Sequence, residues 1–335
     1  MGTSRLSLNI LCVLYVLSVL WNPVLSEDKC SKGCTGGASG ATFLKGHKYN
    51  YGVEGTVSIY LTGADHKETS VKLLGQVTVS ALGNCAHVLK VQNLVISGPD
   101  GKKYNKPPGL EKPVRFTLQD GRVGPEICSE DGDTRRSLNI KRAIISLLQT
   151  EQKPSTQIDI FGACPTEASS SQEGGAVLVH RTRDLSHCAH REQGKNDLIT
   201  AVVNPTAEIK DSQVLQSILN VESKVNNGVP EKISATEEYL YKPFSLGENG
   251  ARAKVHTKLT FTGKSAGADE GAFKETHTII FENPHGVTSD TSNLQSALKI
   301  VKETAKTLTI EASSKSAGKF AQVVRVSNYH FSLFF

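Results

Sequence analysis

SLNIKRAIISLLQT (residues 137–150) followed by FGACPTEASSSQEGGAVLVHRTRDLSHCAHRE (residues 161–192) places a short amphipathic helix just before a strand-bearing segment with a cysteine near each end. Ile140, Ile144, Leu147 and Leu148 fall at i, i+4, i+7 and i+8, so one apolar stripe faces one way while Lys141, Arg142 and Gln149 face another. The chain on both sides reads as strand. A lone helix inside a long β region has only sheet against which to bury its stripe, so the segment predicts a sheet that curls around a helical plug.

Outward from this block the dominant period is two, in short runs at residues 49–61, 71–82, 87–97, 114–118, 176–182, 198–203, 214–224, 233–240, 255–262 and 276–281. Turn residues separate them. Asp120-Gly121 suits a type I′ hairpin, Asn226-Asn227-Gly228 another turn, and Pro107-Pro108-Gly109 a loop. Strands at such spacing predict a mainly antiparallel barrel or sandwich. At Asp290 the period becomes helical: Leu294, Leu298, Val301, Ala305 and Leu308 form one stripe, and Phe320, Val323 and Val324 a second within residues 318–326.

The first 26 residues combine Arg5, an apolar run over 6–20 and small residues at Val24 and Ser26, which is the make-up of a secretory signal. Its removal takes Cys12 and leaves an even set of six cysteines, Cys30, Cys34, Cys85, Cys128, Cys164 and Cys188, as expected of disulfides in an exported, extracellular chain. A metal site is the competing reading, from the Cys30-x3-Cys34 gap and the His187, Cys188 and His190 group. No second pair at finger spacing completes either, so no metal and no cofactor is expected. A formal net charge of +5, with basic residues scattered among acidic ones, gives no support to nucleic-acid binding. No later apolar run reaches the length of a spanning helix, so no transmembrane segment is expected.

Gly263-Lys264-Ser265-Ala266-Gly267 has the spacing of a nucleophile elbow, but the residues after it have turn composition and not the helix such an elbow needs; an exposed hairpin loop is expected there, and no enzyme. The densest basic cluster is His180, Arg181 and Arg183 with His187, His190 and Arg191 behind it. Arg135, Arg136, Lys141 and Arg142 form a second. Their plain reading is solvated strand ends and a polar helix face; the functional one is an electropositive patch for acidic partners.

Four stretches carry a resemblance: ICSEDGDTRRSLNIKRAIISLLQ (127–149), the 161–192 block, VESKVNNGVPEKISATEEYLYKPFSLGENGARAKV (221–255) and SALKIVKETAKTL (296–308). They resemble the N-terminal module of the large lipid transfer proteins, a family that includes vitellogenins, apolipoprotein B and the microsomal triglyceride transfer protein, and within it the insect apolipophorins most closely. The resemblance implies an antiparallel β-barrel enclosing an amphipathic helix over residues 27–289, with Ile140, Ile144, Leu147 and Leu148 in its core. The first helices of an α-helical superhelix would follow over 290–326, and a divergent tail over 327–335. It implies a Cys164–Cys188 bridge, which the extended Cys164-Pro165 and the Gly174-Gly175 turn suit, and leaves the pairing of Cys30, Cys34, Cys85 and Cys128 open.

The same resemblance implies a secreted carrier with lipid as cargo. Its partners would be other apolipoprotein chains and a lipoprotein receptor with acidic repeats, met by Arg181, Arg183, Arg191, His187, His190, Arg135 and Arg136. The alternative is a truncated secreted recognition or defence module without lipid carriage.

Overall fold

A computed structural model describes residues 43–61, 69–83, 85–190, 215–241, 251–269 and 271–282. The expected signal segment, Cys30, Cys34, Arg191, the strand at 198–203, the helices of 290–326 and the tail lie outside these residues.

The described chain runs β1 (His47–Leu61), β2 (Thr69–Gly83), β3 (Ala86–Ser97), β4 (Lys103–Tyr104), β5 (Val114–Gln119), β6 (Arg122–Ser129), α1 (Arg135–Leu147), β7 (Ser155–Asp159), β8 (Gly162–Glu173), β9 (Ala176–Asp184), a 3-10 turn (Leu185–His187), β10 (Leu215–Asn226), β11 (Val229–Tyr241), β12 (Ala251–Ala266) and β13 (Glu275–Thr278). The strands order as β13-β6-β5-β3-β2-β1-β12-β11-β10-β9-β8-β7, with β4 added beside β3. Neighbours are antiparallel, as expected of short connections. The path stays open between β13 and β7. One backbone bond spans the gap, Phe281 N donating to Ile160 O at 2.9 Å.

Alternation sets which side faces in. On β1, Tyr49, Tyr51 and Val57 are buried opposite Val79, Val77 and Val71 of β2, and Val53 and Val57 lie opposite Leu259 and Val255 of β12. Apart from Val57 and Val255, these residues join one cluster with Leu89, Phe116, Ile127, Leu219 and Ile233 from across the sheet, with Ile140, Ile144 and Ile145 of α1 and with Leu148 at its C-terminal cap. The helix is therefore the filling of a curled sheet, with Leu147 half-buried against the same cluster. Thr134 caps it, its hydroxyl accepting from Ser137 N at 3.3 Å while donating to Pro108 O at 2.9 Å. Both expected hairpin turns have consecutive left-handed residues: Asp120 and Gly121 at φ 52° and 77°, Asn227 and Gly228 at 50° and 81°.

Three expectations are corrected. The polar face of α1 is not solvated: Lys141, Arg142 and Gln149 are buried, because the sheet surrounds the helix and polar partners meet them inside. The 263–267 segment is not a hairpin loop up to Ala266; β12 continues through it, pairing Lys264 with Tyr49 and Ser265 with Lys48. Finally β4, β6, β7 and β8 lie beyond the strands that alternation identifies. Their sequences interrupt or invert the apolar period, with Gly124-Pro125 in β6 and a serine run in β8.

Candidate functional site

Two features stand out: the charged interior beside α1, and a cationic row on the outside of β12.

Inside, β7 reverses the usual pattern. Gln157 and Asp159 are buried while Ile158 is exposed. The inward residues meet β9, where Val179, Arg181, Arg183 and Leu185 are buried and His180, Thr182 and Asp184 are exposed. Arg183 forms an ion pair with Asp159 and donates to Gln157 Oε1. Arg181 donates to the same oxygen at 3.2 Å and lies 3.5 Å from Leu147 O. Gln157 is oriented in turn by donating to Glu151 Oε2 at 3.1 Å. Asp159, Arg181 and Arg183 border a cavity of about 40 Å³ between α1 and the sheet, which is also walled by Glu237, Ile140, Ile144, Leu219, Val221 and Phe161. Burial draws the Arg181 guanidinium down to about 10, against the opposing charge of Glu151.

The other end of α1 is pinned by charge as well. Lys141, wholly buried, pairs with Asp133 and donates to Gly109 O at 3.0 Å; burial lowers its pKa while Asp133 opposes the shift. Arg142 donates from Nε to Thr278 O at 2.9 Å, from Nη1 to Asn139 Oδ1 at 2.8 Å and from Nη2 to Glu282 Oε1 at 2.8 Å. Asn139 both donates to Glu282 O and accepts from Glu282 N. These bonds tie the plug helix to the segment after β13.

The expected receptor cluster therefore divides. Arg181 and Arg183, each only 2% exposed, are turned inward by the parity of β9 and cannot form a surface patch. Arg135, Arg136, His187 and His190 are exposed, with His187 at 3.1 Å from Asp184. Alternation within HRTR carries this signal, since Arg181 and Arg183 share the parity of Val179. The Cys164–Cys188 bridge is present at S–S 2.06 Å, and Cys85 and Cys128 are also disulfide-bonded.

Outside, β12 reads Arg252-x-Lys254-x-His256-x-Lys258, the face opposite buried Ala253, Val255 and Leu259. Successive members stand about 7 Å apart along the strand. Lys72 opposes Thr56, which flanks His256 on β1, and Lys232 of β11 opposes Thr260, so the row widens, with exposed Glu54 of β1 opposite Lys258 as an acidic member of the same face. Lys254 pairs with Glu238 at 3.3 Å, but both are half-exposed, and such pairs contribute little. Burial first, then Lys258 and Lys254, lower the pKa of His256, which reports positive potential here. The row is present in the sequence as R-x-K-x-H-x-K, but its charges are spaced rather than contiguous, so no charge run marks it.

Other constellations lack the needed geometry. Ser129 Oγ and Glu275 Oε2 approach His277 at 3.0 and 3.4 Å, yet both meet Nε2, whereas a relay requires the acid at Nδ1. Among the described residues no group of three His, Cys, Asp or Glu side chains is placed to hold a metal, and no helix is long and apolar enough to cross a membrane.

A single helix wrapped by an antiparallel sheet, pinned by buried arginines and a bridge after β9, defines a known class of module. Residues 43–268 match the vitellogenin N-terminal domain, and the chain belongs to that family. It is 66% identical to apolipophorins of Manduca sexta over 97% of its length and 33% identical to apolipophorins of Locusta migratoria over 85%. It spans about a tenth of the length of these relatives, 10% and 9% respectively. A solved lipovitellin structure, titled for its lipid–protein interactions, shares the fold at a TM-score of 0.60 and 17% identity, over 85% of this chain and 33% of that one.

Proposed function

We propose that the chain is the N-terminal module of a secreted lipid-transport protein and that its barrel-like unit recognises partners while bulk lipid is held elsewhere in the particle. Family membership and the two apolipophorins support the lipid-transport reading. The observation that carries the division of labour is the cavity beside α1, which among the described residues holds about 40 Å³. That is room for on the order of three water molecules, far below one acyl chain. The side chains that would have to line a lipid tunnel are instead packed into the core with α1.

Partner contact falls to the outer face of β12. A row of cations fits an acidic receptor module, with attraction that weakens as salt rises. Exposed His187, His190, Arg135 and Arg136 remain candidates for a second contact; Arg181 and Arg183 do not.

The test is density-gradient flotation of the secreted chain after incubation with a triglyceride emulsion. The protein should stay at the density of lipid-poor protein, with at most weak surface association. Recovery as a discrete low-density particle of fixed lipid content would overturn the reading.

A further inference from the structure

Two buried sulfurs have partners that the sheet itself cannot supply. Cys85 and Cys128 are each disulfide-bonded. Cys85 precedes β3 and lies level with Leu118 of β5, whose backbone N donates to Cys85 O at 2.9 Å, while Cys128 of β6 lies opposite Arg115 on the other side of β5. The two are therefore offset by three residues along β5 and by two strand spacings across it. At about 3.3 Å per residue and about 4.8 Å per strand, their separation is about 14 Å. A disulfide joins Cα atoms no more than about 7 Å apart, so Cys85 and Cys128 are not bonded to each other. Cys164 and Cys188 are taken by their own bridge.

We propose that the segment Cys30-Ser31-Lys32-Gly33-Cys34 is stapled across β3, β5 and β6, one of its cysteines bonded to Cys85 and the other to Cys128. The sequence holds seven cysteines, and with these four and Cys12 of the expected signal set aside, only Cys30 and Cys34 remain. Their spacing fits the span. Four Cα steps of extended chain reach about 14 Å, the separation to be bridged. A mutual Cys30–Cys34 bond would leave both strand sulfurs without a partner. The approach is also short: Gly46 N donates to Ala81 O at 2.8 Å, and Phe43 packs on His87 with ring centroids 5.4 Å apart. The chain entering β1 therefore already lies on the β2–β3 hairpin that carries Cys85, and Cys34 stands nine residues before Phe43. Cys128 shares the outward parity of Arg115 and alternates with buried Ile127, so its sulfur is reached from outside the sheet.

The staple puts a covalent brace on the β6 flank of the open sheet, as Cys164–Cys188 does on the β8 flank. It also consumes the Cys30-x3-Cys34 pair that a metal would need. The assignment rests on an oxidising compartment and not on the lipid-transport reading.

The experiment is tryptic mapping of the full secreted chain, alkylated with N-ethylmaleimide and never reduced. Cleavage after Lys32 separates Cys30 from Cys34, so each can be followed alone. The Cys85 peptide, residues 73–90, should be linked to one of them and the Cys128 peptide, residues 123–135, to the other. The double variant Cys30→Ser/Cys34→Ser should gain two free thiols per chain after unfolding, at Cys85 and Cys128, with Cys164–Cys188 intact. If that variant is not secreted, Cys34→Ser alone should free one of Cys85 and Cys128 and leave the other bridged. A Cys85–Cys128 link, a Cys30–Cys34 link, or a bond from either strand cysteine to a second chain overturns the staple. Free thiols at Cys85 and Cys128 beside an intact Cys164–Cys188 bridge overturn it and leave export standing, whereas six free thiols overturn both.

Discussion

The two halves of the interior are built on opposite terms. Along β1, β2, β3 and β5 the inward residues are Tyr49, Tyr51, Val77, Val79, Leu89, Val91, Val114 and Phe116, and they pack against one another and α1. Along β7 and β9 the inward residues include Gln157, Asp159, Arg181 and Arg183, while Ile158 of β7 faces outward. Both halves bury what faces the helix. The first is stabilised by area removed from water, so each residue acts nearly alone; the second depends on partners, so the loss of one group strands another. Parity along a strand, rather than residue type, decides what lies inside.

This contrast sets the size and character of mutational effects. The largest is expected in the apolar half, where Phe116→Ala should cost about 4 kcal/mol with little dependence on any second substitution. Equilibrium denaturation measures it, and a loss below about 1 kcal/mol would show that Phe116 is not enclosed.

In the charged half Asp159→Asn should cost about 3 kcal/mol by leaving Arg183 unpaired, yet Asp159→Leu combined with Arg183→Met should recover most of that. A double-mutant cycle separates the cases: additive losses would mean that the pair does not form. Opening the Cys164–Cys188 bridge by Cys188→Ser, at a sequence separation of 24, should cost about 3 kcal/mol through loop-closure entropy. Non-reducing peptide mapping of wild type should show this bridge and not a link from Cys164 to any other cysteine.

The smallest effect sharpens the comparison from within the apolar half, which holds a buried imidazole. His87 lies between Phe43 and Phe116, with ring centroids 5.4 and 5.5 Å away, and burial lowers its pKa from 6.5 to about 4, only partly opposed by its contact with Cys85 O. The unfolded chain therefore binds a proton that the folded one refuses as pH falls below 6.5. Stability is then lost with acidification through that window and levels off below about pH 4. Between pH 7 and 5 the contribution is about 2 kcal/mol. His87→Gln should flatten this part of the stability–pH curve; an unchanged slope would assign the acid sensitivity to other groups.

Legibility in the sequence divides along the same line. Alternation in 49–61, 71–82 and 87–97 marks β1, β2 and β3, and the i, i+4, i+7, i+8 stripe marks α1, because there apolar residues face the core. β7 is illegible for the converse reason: its buried residues are polar, and hydropathy assigns them outward. β6 is hidden by Gly124 and Pro125. Arg181 and Arg183 read as surface charges because arginine is usually solvated, although their parity with Val179 and Leu185 places them inside. Lys141 and Arg142 mislead in the same way, since beyond its exposed first turn the helix has no free polar face.

The central claim, that the sheet turns Arg181 and Arg183 toward α1 and away from partners, is open to a direct measurement on the unaltered protein. Native chain treated with phenylglyoxal and mapped by mass spectrometry should be modified at the exposed Arg135 and Arg136, while Arg142, Arg181 and Arg183 react only after unfolding. Modification of Arg181 and Arg183 at the rate of Arg136 in the folded protein would contradict the account.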